Sequence, residues 1–135
     1  MLQFYFLSIL ANLLGGLSLT AEYLAGRFPA FAPFRDLLSR RGWRASVGAL
    51  AAVVGFLKLL IRSSTADVPV VGDLLPALAG MVMGISLLLQ VVRERSGQEP
   101  LGRLERLALA YRVPLGFVGL AAAALHFLLP AALFL

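Results

Sequence analysis

Residues 2–24 read LQFYFLSILANLLGGLSLTAEYL, a run in which the only charged side chain is Glu22, close to its end. At 1.5 Å per residue a helix of this length extends about 34 Å, enough to cross the roughly 30 Å hydrocarbon layer of a bilayer. Three further apolar runs follow, at residues 44–61, 68–92 and 113–135. The expected fold is therefore an all-α membrane protein, a four-transmembrane-helix bundle.

Composition points the same way. Of 135 residues, 60% are hydrophobic and 14% charged, and the mean hydropathy of +0.89 lies well above that of soluble domains. Four spans leave no room for a large enzyme domain. The chain has no cysteine, which excludes disulfides, thiolate metal sites and cysteine nucleophiles.

Twelve Lys and Arg against seven Asp and Glu give a net charge of +5. The distribution argues against nucleic acid as the partner. Arg27, Arg35, Arg40, Arg41 and Arg44 lie in the first connecting segment, and Arg93, Arg95, Arg103, Arg106 and Arg112 in the third. Basic residues in alternate connections are the positive-inside pattern, which predicts that both segments face the cytoplasm. Both termini and the connection carrying Asp67 and Asp73 are then external, and the expected location is a bacterial cytoplasmic membrane. No basic residue other than the amino terminus precedes the first run, so it reads as a retained span and not as a cleaved signal.

Each basic connection also contains a proline followed by helical apolar spacing. Pro33 precedes Phe34, Leu37 and Leu38 on one face, with Arg35, Asp36 and Arg40 on another. Pro100 precedes Leu101, Leu104, Leu107 and Tyr111, with Arg103 and Arg106 opposite. Proline suits a first helical turn, and two-sided helices of this kind lie in the headgroup layer or pack beneath the spans. Anionic lipid is the expected partner of their arginines.

Shifted by 68 residues and laid on itself without gaps, the chain matches at 12 of 67 positions, among them Gly16, Ser18, Leu19, Arg27, Arg44 and Gly48. Similar pairs add Glu22 with Gln90, Trp43 with Tyr111, and Lys58 with His126. Two two-helix repeats, residues 1–67 and 68–135, are expected. A unit of two spans returns the chain to its starting side, so the copies are parallel and related by a pseudo-twofold axis along the membrane normal.

Small residues at helical spacing mark close helix approaches in lipid. Span one carries Ser8, Asn12, Gly16 and Thr20, and span three carries Pro76, Gly80 and Gly84, the last two a GxxxG motif. Gly48, Ala51, Gly55 and Lys58 share a face of span two, and Gly116, Gly119, Ala123 and His126 repeat that layout in span four. These glycines serve either packing within the chain or assembly with a second copy or another membrane protein.

Ionisable and polar groups within spans are costly and are the natural candidates for function. Lys58 and His126 lie roughly 20 Å from the cytoplasmic boundary, counted at 1.5 Å per residue from Trp43 and Tyr111. Under the duplication they face each other near the axis, where they would hold an anion or a lipid headgroup, with the histidine losing its charge near neutral pH. Their alternative roles are a snorkelling lysine and a histidine in one interhelical hydrogen bond. Glu22 and Gln90 form an inner pair, with Arg27, Arg44 and Arg112 as the expected ion partners at their level. Asn12 falls near the midplane, as interhelical glue or as a ligand.

One histidine and no cysteine make no metal cluster, no GxSxG is present, and the glycines lie inside helices and not in a phosphate loop. No catalytic residue, cofactor or metal is expected. Two functions remain: a non-catalytic membrane subunit or homo-oligomer assembled through glycine-rich faces, and a small transporter or channel for an anion or proton along the axis.

Overall fold

The computed structural model describes residues 2–60, 74–97 and 102–128. The described residues are helical, with no strand among them. Helix α1 spans Leu2–Arg27, a 3-10 turn follows at Pro29–Phe31, and α2 covers Ala32–Leu38. Then come α3 (Arg41–Leu60), α4 (Leu74–Ser96), α5 (Arg103–Ala110) and α6 (Arg112–Leu128).

Helices α1, α3 and α4 are each long and apolar enough to cross a membrane. The fourth expected span differs from the other three. Helix α6 has 17 described residues, and it meets the criterion only together with α5, from which it is bent by 62°. The cause of the break is local. Pro114 has no N–H to give the carbonyl of Ala110, and its ring clashes there, so α5 stops at Ala110 and the chain turns at Tyr111.

Other boundaries follow equally simple rules. Phe28 precedes Pro29, which disfavours helical geometry, and it is extended at φ −128° and ψ 100°. Helix α1 therefore ends one turn later than the apolar run. Helix α4 ends at Gly97, whose φ of +60° is left-handed and whose N–H donates to the Arg93 carbonyl at 3.0 Å. Helix α3 begins at Arg41, ahead of the expected residue 44. The expected starts and ends at residues 61, 68–73 and 129–135, with Arg62, Asp67 and Asp73, lie outside the described residues, as do Pro100 and Leu101.

The long helices are arranged around α1 and α4, which pack on each other at the centre. Helix α3 packs most extensively on α4, and α1 on α6, while α3 and α6 stand apart on opposite sides. Each outer helix therefore lies chiefly against the long helix of the other half of the sequence. Leu19, Val47, Met83 and Leu87 form the main buried cluster, and Ala11, Ala51 and Val54 a second. Large apolar side chains such as Phe6, Leu10, Phe56, Ile85 and Phe127 point outward, the pattern expected where the surrounding medium is lipid.

Glycines set the closest approaches. A Cβ on Gly16 would come within 2.7 Å of the Gly116 carbonyl oxygen, and one on Gly84 within 2.6 Å of the Gly48 carbonyl oxygen. The two crossings are related to each other by the 68-residue shift, Gly16 corresponding to Gly84 and Gly48 to Gly116. Gly55 sits against Ala77, Gly80 against Ala51 and Asn12, and Gly119 against Met83. All seven glycines singled out in the sequence are thus in contact with other helices of their own chain. Within the chain these faces therefore serve helix packing.

The two short helices in the basic connections differ in exposure. Phe34 and Leu37 of α2 are exposed, but Leu38 turns inward and is buried. Leu104, Leu107 and Tyr111 are exposed together along α5.

Candidate functional site: polar groups in the helical core

Two polar constellations lie at opposite ends of the helical core. At the first, Lys58 from α3 and His126 from α6 are both buried, and Lys58 Nζ lies 3.3 Å from His126 Nε2. The backbones of α3 and α6 do not meet, so the length of the lysine side chain bridges them. An ammonium has donors only; with Lys58 donating to Nε2, the imidazole carries its own proton on Nδ1. Neither side chain is limited to this contact.

Tyr5 of α1 completes the group. Its ring lies 4.6 Å from that of His126, tilted by 40°, and its hydroxyl donates to the His126 carbonyl oxygen. Sequence reasoning missed Tyr5, although its signal was present: Tyr5, Ser8 and Asn12 are spaced three and four apart and share one face of α1.

Below this group, Asn12 is 2% exposed, and its Nδ2 donates to the Ser8 carbonyl at 3.0 Å and the Pro76 carbonyl at 3.1 Å. It therefore ties α1 to α4. Asn12 Oδ1 and Ser8 Oγ are buried without a hydrogen-bond partner among the described residues. Thr20 is spent locally, donating to the Gly16 carbonyl at 2.8 Å. Between the two polar ends the core is closed by Leu19, Met83 and Leu87, the last two fully buried.

The second constellation sits at the arginine-rich end. Arg44, on the first turn of α3, donates through Nη1 to Gln90 Oε1 at 3.4 Å and through Nε to the Ser39 carbonyl at 3.1 Å, and its Nη2 pairs with Glu94. Arg41 approaches the other oxygen of Glu94 at 3.7 Å. Gln90 is 7% exposed and its Nε2 has no partner among the described residues. A cavity of about 450 Å³ opens beside these groups, bounded also by Arg93 and by Arg112 at the start of α6.

Glu22 does not join them. It is exposed, accepts a hydrogen bond from Ser39 Oγ at 3.5 Å, and has no ion pair among the described residues. The expected pairing of Glu22 with Arg27, Arg44 or Arg112 is replaced by Arg44 with Glu94. Gln90 and Arg44 meet, whereas Glu22 and Gln90 belong to different surroundings. Nearby, Arg35 is held above the usual arginine value, first by its hydrogen bond to Asp36 and then by the charge of that carboxylate. Trp43 donates to Ser18 Oγ at 3.2 Å, and the counterpart Ser86 donates to the Ala108 carbonyl at 3.3 Å, so Ser18 ties the first turn of α3 to α1, and Ser86 ties α5 to α4.

A protein-family model matches residues 1–126, nearly the whole chain. The chain belongs to that family, which is uncharacterised. No curated protein matches the sequence, and no solved structure matches it. The chemistry available to this member of the family is that of its side chains: a buried amine and imidazole in hydrogen-bond contact at one end, and arginines around a buried amide at the other.

Proposed function

We propose that the chain is a non-catalytic integral membrane protein of four spans, built from two parallel two-span repeats, that carries an anion or a proton along their pseudo-twofold axis. The observation that carries this reading is the contact of Lys58 with His126, residues 68 positions apart. Two equivalent positions can touch only at the axis that relates them. The crossings of Gly16 with Gly116 and of Gly84 with Gly48 repeat under the same shift and support the duplication.

A site at a repeat interface is where transporters of this construction hold their cargo. An ammonium donating to a neutral imidazole supplies two exchangeable proton positions, and the charge of the ammonium suits a small anion. Met83 and Leu87 close the core between the ends, which favours a gated carrier over a standing pore. The arginine-rich connections face the cytoplasm in this reading, and the Lys58 end faces outward.

The test is flux into proteoliposomes containing the full chain, with a chloride gradient in one arm and a pH gradient in the other. Transport by the wild type that is lost in Lys58→Met and in His126→Ala, with both variants remaining monodisperse, is the expected result. Wild-type vesicles as tight as protein-free ones in both arms would sink the reading.

A subunit role is the second reading, and one observation favours it. An apolar groove of about 490 Å³ runs along the outside of α1 and α6, lined by Phe6, Leu10, Leu13, Leu120, Ala124 and Phe127. Native mass spectrometry of the gently extracted protein decides it, since a retained second protein or a fixed multiple of the 14.4 kDa chain is its signature.

A further inference from the structure

The arginine-rich end holds a second, independent feature. Arg44 fixes the Gln90 amide through its oxygen, so the atom left over is a donor, Nε2, buried and without a partner among the described residues. A buried donor left unsatisfied costs roughly 1–3 kcal/mol, and an acceptor brought by a ligand relieves that cost. The cavity bounded by Gln90 is also bounded by Arg44, Arg93 and Arg112, against one carboxylate, Glu94. Glu94 is already engaged by Arg44 and Arg41, and Arg93 and Arg112 have no ion pair among the described residues.

Helices α3 and α6 begin at this end, with arginine and no acidic residue in the first turn, while α4 and α5 end here, so the helix dipoles offset one another. The excess of positive charge is that of three guanidinium groups around one cavity against a single carboxylate, an arrangement that favours the entry of an anion. Guanidinium forks match the paired oxygens of a phosphate group. The Leu109 side of the cavity is apolar and suits the glycerol or acyl portion of a lipid.

We propose that this cavity binds a phosphate group, presented by an anionic lipid headgroup or by a soluble phosphate, with Gln90 Nε2, Arg93 and Arg112 as its donors. The site does not depend on the transport reading, because Lys58 and His126 lie at the opposite end.

The experiment uses the full chain in a neutral detergent and measures binding of phosphatidylglycerol, phosphatidylcholine and inorganic phosphate. Phosphatidylglycerol binding at least about tenfold tighter than phosphatidylcholine is expected, with a loss of about tenfold in Gln90→Leu and in Arg112→Gln, the size of one charge-assisted hydrogen bond. Lys58→Met should bind as the wild type does. Gln90→Glu, which keeps the side-chain size and adds a negative charge, should also weaken binding and covers the case in which Gln90→Leu fails to fold. Inorganic phosphate binding at the same residues while the lipid shows no preference assigns the site to a soluble phosphate. Equal binding of both lipids with no phosphate bound, or variants that bind as the wild type does, overturns the proposal.

Discussion

Asn12 shows how a single polar side chain is used in a lipid-embedded core. Its amide links α1 to the Pro76 carbonyl of α4, while its own oxygen stays buried and unsatisfied among the described residues. The gain and the cost nearly offset, because interhelical hydrogen bonds in membranes average about 0.6 kcal/mol. Asn12→Leu, similar in volume, should therefore shift stability by less than about 1 kcal/mol in reversible unfolding from detergent. Asn12→Asp should cost several-fold more at neutral pH, since the charge has nowhere to go, with about 2.5–3.5 kcal/mol expected for a carboxylate near the centre of a span. A larger loss for the leucine variant than for the aspartate variant would contradict this account.

At the scale of elements, the glycine crossings and the bend before α6 make separate predictions. A Cβ at Gly84 meets the Ala52 nitrogen and the Gly48 carbonyl oxygen, backbone atoms that cannot swing aside. Gly84→Ala should destabilise the protein by about 1–3 kcal/mol, the usual range for overpacking. Gly26→Ala, with nothing within 4 Å, should be neutral or slightly stabilising, because alanine is the better helix former. Measured side by side, equal effects at the two positions would refute the packing argument. For the bend, Pro114→Ala restores the missing donor, and α5 should run on into α6. Spin labels at Leu104 and Val118, both exposed, should then move apart toward the roughly 21 Å of a continuous helix, as read by pulsed electron resonance.

These elements also show what was legible in the sequence. Apolar run length located α1, α3 and α4 because the bilayer imposes a minimum length on any helix that crosses it. The glycine and Lys58 stripes were legible because helical spacing fixes which residues share a face. The partner of each stripe was not, since nothing in a single helix's periodicity says which other helix it meets. Glu94 and Tyr5 escaped for the same reason, their roles being set by neighbours 50 and 121 residues away in sequence. The ends of α1 and α5 were displaced from the apolar runs by Pro29 and Pro114, whose effect falls on residues before them.

For the whole molecule, the decisive feature is that α1 packs chiefly on α6 and α3 chiefly on α4. A half comprising residues 1–67 therefore lacks the main partner of both its long helices. Expressed alone, each half should be degraded or aggregate, whereas the two expressed together should copurify through a tag on either one. Stable accumulation of a lone half would show that its own helices suffice. Orientation is testable on the same scale. The chain has no cysteine, so a single one placed at Arg40 should react with an impermeant reagent only when it is supplied from the cytoplasmic side.

The same exchange of partners has a consequence for how the protein is made. Helix α1 leaves the ribosome ahead of α6, with more than eighty residues between them. At a synthesis rate of about 5–20 residues per second, α1 waits on the order of 10 s in the bilayer before its principal neighbour arrives. Through that interval the face bearing Gly16 and Thr20 is uncovered, while α3 and α4, adjacent in order of synthesis, can already close on each other. A chain cut short before α6 would keep that face permanently open, giving membrane quality control a direct mark by which to tell an unfinished copy from a finished one.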